Sequence, residues 1–150
     1  MPSDIPLTNP PVTIGDAELL AETLRRGGVT GSQCRRDLEH AIAMVTCRQH
    51  AVALASAESA LPRLLHALGI GPDRHIIVPA LGDASCLRAA RQLGAVPRFA
   101  DCDPGTLVPT NQTIESIIDG ETGAVLAFHG DGWGTGVPGI AAACARQEVP

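Results

Sequence analysis

Residues 50–101 alternate short apolar runs with helix-patterned stretches, and this alternation restricts the fold more than any other feature of the chain. The stretch reads HAVALASAESALPRLLHALG, then IGPDRHIIVPALGDASCLRAARQLGAVPRFAD. Each apolar run has the length of a buried strand and ends in small or acidic residues that suit a loop. Strands alternating with helices build a parallel sheet covered by helices, so the sequence predicts an α/β fold with a mostly parallel sheet. Ligands of such sheets bind where strands hand over to helices, and candidate site residues belong at those loops.

The flanking segments extend the pattern. Residues 1–15 are proline-rich and expected to be extended. Asp16 is the expected N-cap of a helix in which Ala17, Leu20, Ala21 and Leu24 share a face, ended by Gly27-Gly28. A second helix follows Ser32 with Leu38, Ala41, Ile42 and Val45 as its stripe, and its first turn carries Arg35 and Arg36 against the helix dipole. A strand is expected over 51–55, then a loop at 56–58, then a helix with Leu61, Leu64, Leu65 and Leu68. Pro62 has no N–H to donate, which puts it in that helix's first turn and the start near 59–61.

His75–Pro79 is the next expected strand, followed by a helix after Asp83 that buries Cys86, Ala89, Ala90 and Leu93. Val96–Ala100 contains Pro97, which marks an edge strand. Asp103-Pro104-Gly105 is a turn, and Thr110 caps a short helix with Ile114, Ile117 and Ile118. A strand over 124–128, a glycine-rich loop to Gly136 and a helix opened by Pro138 complete the order. Residues 1–48 thus read as an extended arm with helices, and 49–150 as a βαβ region.

At 150 residues the chain is one domain or part of one. Apolar residues make up 45%, yet only Phe99, Phe128 and Trp133 are aromatic, so the core must be aliphatic. The net charge is −5 with arginines scattered singly or in pairs, which excludes a basic nucleic-acid surface. The N-terminal residues lack a basic start and an apolar core of a secretory signal, and no apolar run approaches the ~20 residues of a membrane span. Cytoplasmic residence without membrane contact is the expectation. Five cysteines without a CxxC pair fit neither a disulfide framework nor a zinc site, and read as small buried hydrophobes in a reducing compartment. No metal is implied by them or by the histidines. All eleven basic residues are arginine, so the chain has no lysine.

Taken in order, IPLTNPPV, GGVTGSQCRRDLEHAIA, HAVALASAESAL, ALGIGPDRHIIVPAL, LGAVPRFADCDPGTL and AVLAFHGDG resemble the opening of a DegT/DnrJ/StrS-type sugar aminotransferase. The resemblance implies the N-terminal part of a fold-type-I large domain. It also implies pyridoxal phosphate as cofactor, amino transfer from glutamate to a nucleotide-linked keto-sugar, and a homodimer. The family's phosphate cradle is Ser-Gly-Thr, and this chain has Ser56-Ala57-Glu58 there. Glu58 either opposes a bound phosphate or simply favours the dipole of its own helix. The family's ring-stacking aromatic corresponds to Asp83, whose ordinary role is an N-cap.

The resemblance puts the carboxylate that pairs the pyridinium nitrogen, and the lysine that forms the Schiff base, beyond Pro150. No residue of this chain supplies an ε-amine. His129 with Gly132 matches the family's His-x-x-Gly. The loop around them reads as a connector or, with Asp131 against it, a nucleotide loop. The chain is therefore expected to be a truncated, non-catalytic aminotransferase-like segment, or else a partner or split half of an intact homologue. In the family's seven-stranded layout, 51–55 would lie apart from the other strands. It is expected to close onto 124–128 or leave an aggregation-prone edge.

Overall fold

The computed structural model describes residues 10–27, 32–129 and 136–150. The chain divides into two compact units, 1–53 and 54–150.

The first unit holds α1 (Ile14–Arg25) and α2 (Ser32–Val45). The N-cap of α1 is Thr13, not Asp16. Thr13 Oγ1 accepts from the Asp16 N–H at 3.3 Å, and the Asp16 carboxylate accepts from the Thr13 N–H at 2.7 Å. This is a capping box, in which the acid three residues on closes the pair instead of starting the helix. In α2, Arg35 donates to both carboxylate oxygens of Glu39 at 2.8 Å, one turn along, which offsets its unfavourable place in the first turn.

Glu39 also accepts the Ala53 N–H at 2.9 Å. That contact corrects the strand expected at 51–55: a backbone donor there goes to a side chain, and no ladder forms. The apolar stripes of both helices face outward, with Leu20, Leu24, Leu38, Ile42 and Val45 all exposed; Ala43 is buried.

The second unit runs α3 (Ala57–Ala67), β1 (His75–Pro79), α4 (Ala84–Gln92), β2 (Val96–Ala100), α5 (Asn111–Glu115), β3 (Thr122–Val125) and α6 (Val137–Arg146). Its sheet is three-stranded, parallel throughout, in the order β2-β1-β3. His75 pairs with Val96 and Pro79 with Ala100, so β2 is an edge strand, as Pro97 requires. Ile76 pairs with Ala124 across an irregularity next to His75. The third strand begins two residues before the expected 124–128 and ends sooner, although the Leu126 N–H still donates to the Ile77 carbonyl at 2.9 Å.

β1 is covered on both faces. Ile76 and Val78 join Leu65, Ile70, Ala89, Ala90, Ala95 and Ala124 in one cluster, whereas Ile77 joins Ala100, Ile114, Ile140 and Cys144 in another. The two-residue period of a strand produces that division, and it places α3 and α4 on one face and α5 and α6 on the other. Both α3 and α4 end in a Schellman motif. The Ile70 N–H reaches the Leu65 carbonyl and the Ala95 N–H the Ala90 carbonyl, each at 3.0 Å. Gly69 and Gly94 supply the required left-handed turns at φ of 77° and 72°. These turns drop Ile70 and Ala95 into the core.

Three further expectations are corrected. α3 starts at the Ser56 cap, so Pro62 sits in the second turn rather than the first, buried and leaving the Glu58 carbonyl without its helical donor. α5 stops at Glu115, and Ile117 and Ile118 reach the second cluster from the following turn. Of the cysteines only Cys144 is buried; Cys34 and Cys47 are exposed, and all five are free. The loop 130–135 lies outside the described residues, as does Trp133 within it. No helix among the described residues is long and apolar enough to cross a membrane.

At the N-terminal ends of the strands, Asp119 is a hub. Its carboxylate lies 3.0 Å from His75 Nδ1 of β1, pairs with Arg98 of β2, and accepts from the Thr122 hydroxyl of β3 at 3.0 Å. Burial raises its pKa, but the bonds from Thr122, His75 and the Glu121 N–H outweigh that, and the net shift is downward. A lowered carboxylate pKa gives stability that is present above the unfolded value and lost as pH falls through the folded one. Asp119→Asn should therefore lower the urea midpoint at pH 7, and the gap to wild type should close below about pH 4. Equal losses at both pH values in urea melts would contradict this.

Candidate functional site

The C-terminal end of β1 and the start of α3 carry the residues singled out above, all within the second unit. Ser56 is the N-cap of α3. Its hydroxyl accepts from the Ser59 N–H, and the Ser59 hydroxyl accepts from the Ser56 N–H, both at 3.2 Å. This reciprocal box occupies two hydroxyls and two of the amides that a helix start otherwise offers to an anion. Ala57 is the first helical residue and brings no polar group. Glu58 follows in the first turn, where the helix dipole favours a carboxylate. Its Oε1 lies 2.7 Å from Arg88 Nε on α4.

Asp83 is the N-cap of α4, its Oδ1 accepting the Ser85 N–H at 2.6 Å. Backbone and side-chain bonds from Ser85, then the charge of Arg88, hold its carboxyl below the usual range. The loop between β1 and Asp83 approaches the segment after β3 closely: a Cβ at Gly82 would lie 3.1 Å from Pro79 Cγ and 3.5 Å from Phe128 Cγ. Cys86, one turn into α4, has its thiol pKa pushed up by burial and by the Asp83 charge, which makes it a poor nucleophile.

Sequence reasoning located Ser56, Ala57, Glu58 and Asp83 on these helix starts but missed Arg88. Nothing local marks it, because its partner lies thirty residues away on another helix. A cavity of about 340 Å³ opens beside the α3 start, lined by Glu58, Ser59, Pro62, Arg63, His66, Gln92 and Leu93. Among the described residues no cluster of His, Cys, Asp or Glu could hold a metal ion.

Comparison with known proteins decides the lineage. Residues 14–150 match the DegT/DnrJ/EryC1/StrS aminotransferase family. The chain belongs to that family. It is 32% identical over 146 residues to a UDP-4-amino-4-deoxy-L-arabinose–oxoglutarate aminotransferase of Shewanella sediminis, a match covering 97% of this chain and 38% of that protein. An aminotransferase of Psychrobacter cryohalolentis superposes with a TM-score of 0.83 at 26% identity, over 96% of this chain and 37% of the other. An E. coli GDP-4-keto-6-deoxy-D-mannose-3-dehydratase with bound hydrated pyridoxal phosphate gives 0.86 at 19%, over 96% and 39%, and shows the fold alone. The chain thus spans a little over a third of the length of these relatives.

The resemblance assigns the cofactor to these helix starts, whose polar groups are engaged within the chain. The Ser56 hydroxyl serves the helix cap, Glu58 brings a second anion, and Asp83 has no π-face. Removing the carboxylate and its Cβ neighbour tests how much of this is charge. Ala57→Gly with Glu58→Thr should strengthen inorganic phosphate binding by about 1 kcal/mol, roughly five-fold, in a phosphorus-NMR titration. Unchanged or weaker binding would show that the cradle is lost through geometry.

Proposed function

We propose that this 150-residue chain is a non-catalytic aminotransferase-like segment that does not transfer an amino group by itself. The observation that carries the reading is the start of α3, where the Ser56 hydroxyl caps its own helix and Glu58 pairs with Arg88. Amino transfer through pyridoxal phosphate needs a covalent tether and an orienting phosphate site. The start of α3, capped by its own side chains and carrying Glu58, does not offer that phosphate site. The reaction named for the Shewanella relative, from an amino sugar family with oxoglutarate, is the chemistry this lineage points to. In this reading the chain lies outside it. Cytoplasmic residence accords with five free thiols.

A second reading, that the chain associates with an intact homologue or with its own copy, is favoured by the outward apolar stripes on α1 and α2. Leu24, Leu38 and Val45 are 51%, 55% and 81% exposed. Helices with such faces are usually covered. Sedimentation across a concentration series, with and without a full-length homologue, separates association from a monomer.

The first reading is checked by incubating the chain with pyridoxal phosphate, reducing with borohydride and measuring intact mass and adduct position. The expected adduct, if any, is confined to the Met1 amine. A stoichiometric adduct at any other residue, or turnover of glutamate to oxoglutarate with a keto-sugar nucleotide, would contradict it.

A further inference from the structure

His75 opens β1 with a carboxylate against each of its ring nitrogens. Nδ1 lies 3.0 Å from both carboxylate oxygens of Asp119, and Nε2 lies 3.2 Å from Glu121 Oε2. The side chain is only 17% exposed, so these acids are its main polar neighbours. A neutral imidazole carries one N–H and one bare nitrogen, whereas a carboxylate only accepts. With Nδ1 donating to Asp119, a neutral ring would turn its lone pair toward Glu121. Only the imidazolium presents a donor to both.

These contacts fall where the sheet is least regular. His75 pairs with Thr122 and Ile76 with Ala124, so the β1–β3 ladder passes over Gly123. A Cβ at Gly123 would lie 2.5 Å from Ile70 Cδ1, so no side chain fills that step. The His75 N–H also reaches the Glu121 carbonyl at 2.9 Å, and backbone and ring thus grip the same turn.

We propose that His75 is a proton-operated bracket: its imidazolium ties the start of β1 to the Asp119–Glu121 turn that leads into β3, and loss of the proton releases the Glu121 arm. The other charges nearby have partners of their own. Arg98 of β2 pairs with the Asp119 carboxylate and matches part of its charge. Arg74, beside His75, donates to the Thr122 carbonyl at 3.0 Å. On the face covered by α5 and α6, Glu115 and Arg146 pair with each other. Glu121 has the His75 ring as its one ion-pair partner among the described residues.

The closed bracket holds a proton that a histidine in the unfolded chain, titrating at about 6.5, gives up near neutral pH. Its stabilisation is therefore present below that value and lost as the pH rises until the folded ring deprotonates too. This limb runs opposite to that of Asp119, whose contribution is lost in acid. The bracket lies at the other end of β1 from the α4 start, so it stands or falls independently of the non-catalytic reading.

Urea melts of the full 150-residue chain at about pH 6 and about pH 8 test it, for wild type, Glu121→Gln and His75→Asn. The asparagine amide still donates to Asp119 but does not titrate. The wild-type midpoint should fall from the lower pH to the higher, and clearly less in either variant, since each removes one side of the ion pair. An equal fall in all three overturns the bracket. Glu121 is exposed, so Glu121→Gln keeps the comparison decisive even where His75→Asn does not fold. Nitrogen-15 NMR of the ring reads the wild-type chain directly. Both His75 ring nitrogens should carry protons at about pH 7, and Glu121→Gln should move the ring toward the single-proton form. One bare ring nitrogen in the folded wild-type chain at that pH overturns the proposal.

Discussion

The burial of β1 on both faces is the constraint from which the rest of the second unit follows. Ile76 and Ile77 have no exposed surface and Val78 only 2%. A strand so placed must have a neighbour on each side for its backbone and a helical layer on each face for its side chains. β2 and β3 supply the first, α3 with α4 and α5 with α6 the second. The Schellman ends of α3 and α4 then fix how each helix returns to the sheet, because Gly69 and Gly94 direct the next residue into the core. The loops after β1 and before α3 are positioned as a consequence. They need no bonds of their own to a ligand to hold their shape.

That independence explains how the edge can keep its architecture while its chemistry changes. In a parallel α/β sheet, a helix start near a strand end is an anion site by default, since amides and dipole point the same way. Here the same two helix starts are provided with internal anions: Asp83 on α4 and Glu58 on α3. Each is favoured locally by its helix, and Arg88 pairs with Glu58. The positive end of α3 is thus met by the chain's own carboxylate.

Much of the fold was legible because it rests on short-range patterning. The apolar run His75–Pro79, the edge-marking Pro97, the Asp83 cap and the glycine stops all act within a few residues, and the family follows from their order. Elements that depend on a distant partner were not legible. The run AVALA at 51–55 has the composition of a strand, but a strand exists only with a ladder, and Glu39 takes the Ala53 N–H first. Pro62 argued for a later start of α3, yet the reciprocal Ser56–Ser59 box outweighed one missing donor. Asp16 looked like a cap because acids favour that place, whereas the preceding Thr13 fills it and uses Asp16 as its partner. At the candidate site, Glu58 and Asp83 were visible as departures from a pattern. Arg88 was not, since an interhelical ion pair leaves no periodic trace.

A crystal structure grown in excess pyridoxal phosphate is the most direct test of the central claim, that the edge of β1 and α3 is closed by the chain's own groups. The account predicts the Glu58–Arg88 bond and the Ser56–Ser59 box intact, with no cofactor density at the start of α3. Phosphate density on the amides of residues 57–59, with Glu58 swung away from Arg88, would contradict it.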